Sequence, residues 1–125
     1  QNSTVIMDSP MPLPIEAANL QLVSNTSTIG NDFKVGRSLF MQTKTENLSE
    51  RPQDFTYITE VFDSSGAVTS IQWHNAHLTG FGQATLSNIW NPLKPDNYTI
   101  NGFVWDNFTS AIPLSNSVNA SIEVR

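Results

Sequence analysis

Phe55-Thr56-Tyr57-Ile58-Thr59-Glu60-Val61-Phe62, then Asp63-Ser64-Ser65-Gly66, then Val68 to Trp73 is a strand, a tight turn and a return strand. Alternation puts Phe55, Tyr57, Thr59 and Val61 on one face and Thr56, Ile58, Glu60 and Phe62 on the other. Large apolar groups fall on both, which predicts a central strand partly covered on each side. The Asp-Ser-Ser-Gly stretch combines side chains that bond their own backbone with a residue free to take positive φ. The stretch therefore predicts an antiparallel pair as the seed of the fold.

The same period of two extends outward in both directions. Asn19 to Val23 reads as a first short strand, and Ser24 to Asn31 as a polar loop. Arg37 to Thr45 alternates, with Leu39, Met41 and Thr43 sharing a face. Leu78 to Gln83 holds two glycines and reads as a loop. Ala84 to Trp90 is a strand with Leu86 and Trp90 facing inward. Asn91-Pro92 and Pro95-Asp96 punctuate a turn. Tyr98 to Trp105 sets Tyr98, Ile100, Gly102 and Val104 against Thr99, Asn101, Phe103 and Trp105. Ile112 to Val124 supplies the last strand. No window of a dozen residues keeps a 3.6-residue period. About seven short strands with close turns predict an all-β, Greek-key sandwich.

Phe33-Lys34-Val35-Gly36 resembles part of an immunoglobulin-like domain found in archaeal extracellular and surface-layer proteins. So do Phe55 to Ile58, Val61 to Gly66 with Trp73, Asn97 to Ile100, Phe103-Val104-Trp105-Asp106 and Ile112 to Ser115. The resemblance spans roughly Asp32 to Val124. It implies a structural or adhesive β-sandwich without catalysis. Tyr98, opening a strand after a turn, predicts a tyrosine corner in which the hydroxyl bonds back to that turn. The three tryptophans, Trp73, Trp90 and Trp105, read as core or rim packing, and Asp106 as a candidate to bond loop amides.

Residues 1–18 read as an extended N-terminal arm, and residues 19–125 as the sandwich. In Pro10-Met11-Pro12-Leu13-Pro14-Ile15 each proline removes a donor and pushes its predecessor to extended geometry. As a strand, the run would offer hydrogen bonds along one edge only. Either it folds against its own domain, or it donates a strand to another copy, with Val5, Ile6, Met11, Leu13 and Ile15 as anchors. Head-to-tail donation does not close, so it would build a filament of identical subunits.

Six Asn-x-Ser/Thr sequons, at Asn2, Asn25, Asn47, Asn97, Asn107 and Asn119, point to export and N-linked glycans. The chain has no cysteine and a net charge of −5. The first excludes disulfides and thiolate metal sites. The second, with its basic residues scattered singly, argues against nucleic acid. No apolar run reaches the roughly 20 residues of a membrane span. A start at Gln1 without Met suits a chain whose signal peptide has been cleaved. His74 and His77, three apart on a strand, face opposite ways and do not make a metal site. No nucleophile, phosphate-loop or metalloprotease motif occurs, so no enzyme and no cofactor are expected. The expected protein is a glycosylated extracellular subunit of an archaeal filament, pilus or surface layer. The competing reading is a carbohydrate-binding or adhesive module of a larger secreted protein, with Trp73 or Trp90 as a sugar platform.

Overall fold

The computed structural model describes residues 13–24 and 33–125. Among these residues it is all-β, with seven strands: β1 (Ile15–Ser24), β2 (Leu39–Asn47), β3 (Gln53–Phe62), β4 (Val68–Leu78), β5 (Gln83–Trp90), β6 (Asp96–Trp105) and β7 (Val118–Val124). They form two antiparallel sheets, ordered β1-β2-β5 and β4-β3-β6-β7. The chain crosses between sheets after β2, β4 and β5, which gives the Greek-key path expected of the sequence.

β3 sits second in its sheet, with β4 on one side and β6 on the other. Its residues Phe55 to Thr59 are all buried, odd positions against the opposite sheet and even ones on the outer face. Strand β4 runs to Leu78, five residues beyond the return strand expected from sequence. The last strand is shorter than expected. Only Pro113 and Ser115 bridge before β7 begins at Val118.

The interior has two apolar clusters and a polar belt between them. One cluster gathers Leu39, Met41, Val61, Trp90, Tyr98 and Ile100 with the ends of β1 and β7. The other gathers Ile15, Phe55, Tyr57, Leu78 and Val104. In the belt, the Tyr57 hydroxyl lies 2.7 Å from Thr43 Oγ1 and donates to the Met41 carbonyl at 3.2 Å. Asn88 Nδ2 donates to Thr59 Oγ1 and to the Gln72 carbonyl, bridging the sheets, and Asn88 Oδ1 meets His74 Nδ1 at 2.7 Å. Burying these groups is tolerable only because each finds a partner.

The two sides of the sandwich are closed differently. On the β1/β7 side, backbone bonds join Ile15 N to Leu114 O, Val35 N to Arg125 O and Arg125 N to Phe33 O. On the β4/β5 side, among the described residues, the side-chain bridges from β5 to β4 come from Asn88, to His74 and to the Gln72 carbonyl.

The first strand corrects the sequence reading. It starts at Ile15, not Asn19, and Ile15 and Ala17 are buried in their own domain. Asn19 takes φ 56°, and the pairing register with β2 shifts between Ala18 and Gln21. This bulge changes the parity of the strand. Inward residues are Ile15 and Ala17 before it, and Leu20 and Leu22 after it. A strict period of two cannot connect them, so the strand looked as though it began at the bulge.

The β4–β5 turn packs tightly on the β2–β3 turn. A Cβ at Gly80 would collide with the Glu50 carbonyl oxygen, a backbone atom with little room to move. Gly80→Ala is therefore expected to cost about 1–3 kcal/mol, measured as a lower urea midpoint at unchanged slope.

Candidate functional site

The outer face of the four-stranded sheet carries the largest group of exposed aromatic residues. Cross-strand register places Trp73 opposite Ile58 and Ile58 opposite Phe103. The neighbouring row holds Asn75, Thr56 and Trp105, and the next on the other side holds Ile71, Glu60, Asn101 and Asn119. Over these rows lies Phe108, from the loop between β6 and β7. Its ring meets Trp73 edge-on at 5.1 Å between centroids and Trp105 at 6.0 Å. Phe103 and Trp105 lie 5.1 Å apart. Such edge contacts each add about 0.5–1.5 kcal/mol beyond area burial.

Asp106 positions the loop. Its Oδ1 accepts the amides of Asn107 and Ile112, and its own amide donates to the Ile112 carbonyl. Asn107 Oδ1 then accepts the Ser110 amide, and Ala111 takes φ 53° to turn the chain back. The carboxylate thus bonds loop amides, the role considered for it from sequence. The cluster fully covers Ile58, 1% exposed, yet leaves Trp73 53% and Ile71 51% exposed. Trp73 presents a braced ring to solvent. Trp90, the other candidate platform, is buried with its ring edge-on to Tyr98 at 4.8 Å. Tyr98 completes the expected corner by donating its hydroxyl to the Lys94 carbonyl at 2.6 Å.

A cleft of about 490 Å³ opens between β4 and β5 near the β3–β4 turn, lined by residues that include Ser70, Ile89, Leu93, Asp63 and Asp96. Its carboxylates build turns. Asp63 Oδ1 accepts the Ser65 hydroxyl and the Ser65 and Ala67 amides, which hold the Asp63 carboxyl below its ordinary value. Asp96 is lowered by Ser64 first and then by the Asn97 amide. The histidines separate as their spacing predicts, His74 to Asn88 inside and His77 to Asp54 outside. Among the described residues no group of three or more His, Cys, Asp or Glu is gathered.

Burial pushes the Tyr57 hydroxyl up to about 12, against which the Thr43 hydrogen bond is a smaller effect. Its ordinary value is near 10. Unfolding then releases a proton between these pH values, so folding stability is full below pH 10 and falls as pH rises toward 12. The slope for this group is about 1.4 kcal/mol per pH unit. Denaturant midpoints measured from pH 9 to 12 are expected to fall more steeply in the parent protein than in Tyr57→Phe.

The sequons divide sharply. Asn97 and Asn119 are exposed on β6 and β7, and Asn107 is exposed in the Phe108 loop. Asn47 is wholly buried, 0% exposed. Its Nδ2 donates to the carbonyls of Arg51 and Thr79, and its Oδ1 accepts the Ser49 amide and hydroxyl. It cannot carry a sugar in this fold, which corrects its inclusion as an acceptor. Asn2 and Asn25 lie outside the described residues.

The proposed anchors of a donated strand also divide. Val5, Ile6 and Met11 lie outside the described residues. Leu13 is 40% exposed. Ile15 is not available to another copy, because it is 1% exposed inside its own domain. Where the proline run can be seen, it bonds along both edges, not along one only. The Pro14 carbonyl accepts Leu48 N on the β2 side, and the Ile15 amide donates to Leu114 on the other.

Phe108 was not singled out in the sequence. One aromatic residue in a polar loop has no periodic partner to reveal which surface it will cover. Phe103 and Trp105 were visibly on one face, opposite the inward Gly102 and Val104.

The two sheets define an immunoglobulin-like β-sandwich. No protein-family model and no curated protein sequence matches the chain. Solved structures match it in fold. A beta-glucuronidase from Bacteroides uniformis aligns at TM-score 0.70 and 11% identity, over 86% of this chain and 14% of that chain. The CARDB domain of a Pyrococcus furiosus protein, solved in complex with di-metal ions, aligns at TM-score 0.56 and 17% identity, over 91% of this chain and 88% of that one. The alkylpurine DNA glycosylase AlkC of Pseudomonas fluorescens, bound to DNA containing an abasic site analog, aligns at TM-score 0.63 and 12% identity, over 98% of this chain and 33% of that one. The chain thus matches a β-sandwich segment that is a small part of the glucuronidase and a third of the glycosylase.

Proposed function

We propose that this chain is an adhesive module of a longer exported protein, without catalysis of its own, that contacts carbohydrate through the outer face of β4-β3-β6-β7. The observation that carries this reading is Trp73. It is a half-exposed indole braced by Phe108 on a rigid sheet, with amide and hydroxyl side chains around it. Rigid aromatic rings flanked by a few polar groups are what carbohydrate contact requires, since a sugar offers both C–H faces and hydroxyls. The titratable and amide groups elsewhere, Asp63, Asp96, Asp106 and Asn88, are engaged in turns and in the interior. Export is supported by the exposed sequons Asn97, Asn107 and Asn119.

Trp73→Ala is expected to abolish retention on insoluble polysaccharide while leaving the melting temperature within a few degrees of the parent. Removing a half-exposed side chain on an outer face costs the core little. Equal retention of parent and variant would end the proposal.

The self-assembled filament is the weaker reading. It loses Ile15 as an intersubunit anchor and rests on Val5, Ile6, Met11 and Leu13.

A further inference from the structure

We infer that the saccharide taken by this face carries no acidic groups, and that free amines on it strengthen binding. The inference rests on the proposed function and narrows it to a ligand class. Outward positions of the sheet, read from the register, carry Asp54 and Glu60 on β3 and Glu123 on β7, with Asp106 closing the loop beside them. Six cations occur among the described residues: Lys34, Arg37, Lys44, Arg51, Lys94 and Arg125. None lies at an outward position of β4, β3, β6 or β7. Lys44 is on β2 in the other sheet, and the rest are in connections or at the chain's end. His77, in the outermost row, is hydrogen-bonded to Asp54 at 2.6 Å. Arg125 reaches Glu123 at 3.5 Å on the edge strand β7. At Glu60 and Asp106, nearer Trp73, a polyuronate or sulfated chain would meet carboxylates with no cation among the described residues paired to them. Like charges brought together this way act against the wrong partner.

Trp73 adds a second reason. An exposed indole face attracts an ammonium group as well as a sugar C–H face. Glu60 lies in the next row, diagonal to Trp73 through the Ile58 and Ile71 pairs, and is half-buried. An amine over the ring would therefore face a carboxylate as well. The exposed apolar surface here comprises Trp73, Ile71 and Phe108, with Phe103 and Trp105 partly exposed, set among Asn75, Asn101, Thr99 and Ser121. Four strands span about 14 Å at the usual spacing, room for more than one sugar ring.

The test compares three polymers, an uncharged glucan, a deacetylated glucosamine polymer and a polyuronate, by affinity electrophoresis and by calorimetry at 0.15 M salt. Two variants accompany the parent. Trp73→Ala keeps the net charge, and Glu60→Gln keeps the ring. The expected order is amine-bearing, then uncharged, with the polyuronate unbound. Glu60→Gln should reduce the preference for amines about three- to fivefold, the scale of one partly exposed charge pair. Trp73→Ala should lose both the amine-bearing and the uncharged interaction. Polyuronate binding as tight as that of the uncharged glucan would overturn the inference while leaving carbohydrate binding intact. A preference for amines that survives Trp73→Ala would also overturn it, as diffuse attraction to an acidic protein. Binding of no polymer at all would remove the proposed function and this inference together.

Discussion

A chain lacking residues 1–18 is expected not to fold, and one lacking residues 1–12 is the control that keeps residues 13–18. The difference lies in what residues 13–18 hold. Ile15 is 1% exposed and packs in the cluster with Phe55, Tyr57, Leu78 and Val104. Losing a buried isoleucine from such a cluster costs about 2–5 kcal/mol. The longer deletion also removes the Ile15 amide bond to Leu114, the Pro14 carbonyl bonded to Leu48, and the reciprocal pair between Ala17 and Asn116. Each hydrogen bond contributes about 1 kcal/mol net, and more where a buried partner is left unpaired. Together these approach the about 5–15 kcal/mol by which a whole domain is stable. Near-ultraviolet circular dichroism and urea titration of both truncations would decide it. A cooperative transition at the parent midpoint in the longer truncation would return Ile15 to the arm.

The second large effect is expected at Asn47. Asn47→Ala should destabilise the domain by about 3–5 kcal/mol, because it removes four part-buried hydrogen bonds that hold two separate turns. Nδ2 holds the Arg51 carbonyl at 2.7 Å and the Thr79 carbonyl at 2.9 Å. Oδ1 holds the Ser49 amide at 3.0 Å and its hydroxyl at 2.8 Å. The backbone reinforces the same junction, with Asn47 N donating to Gly82 O and Phe81 N donating to Ser49 O. The side chain thus ties the β2–β3 turn to the β4–β5 turn. Asn47→Asp tests the donor half alone, since it keeps the acceptor and loses both bonds from Nδ2. Peptide mapping of folded protein from a glycosylating host should find the Asn47 peptide unmodified even where Asn107 or Asn119 carries sugar. A glycan on Asn47 in folded protein, or a midpoint unchanged in Asn47→Ala, would refute this assignment.

Residues whose role follows from neighbours in sequence were legible. The Phe55 to Phe62 alternation, the Asp63 to Gly66 turn and the inward set Tyr98, Ile100 and Val104 declare themselves by period and turn chemistry. So does the Tyr98 corner, since turn and tyrosine are four residues apart. Asn47 shows the opposite case. Asn47-Leu48-Ser49 satisfies the sequon pattern, and its serine does bond the asparagine. Yet the partner that buries it most tellingly, Thr79, is 32 residues away.

The order of hydrophobic and polar residues, acting through the two-residue period of a strand, was by itself enough to determine an all-β sandwich, its central strand and most of its inward faces. Three things depended on the packed chain. The bulge at Asn19 switched the parity of β1 and brought Ile15 and Ala17 into the core. Pairing across sheets buried Asn47. The loop clamped by Asp106 laid Phe108 against Trp73. Local pattern encodes which way a side chain points relative to its neighbours. What it meets there depends on segments far along the chain, whose approach is settled only when the two sheets close over a common interior.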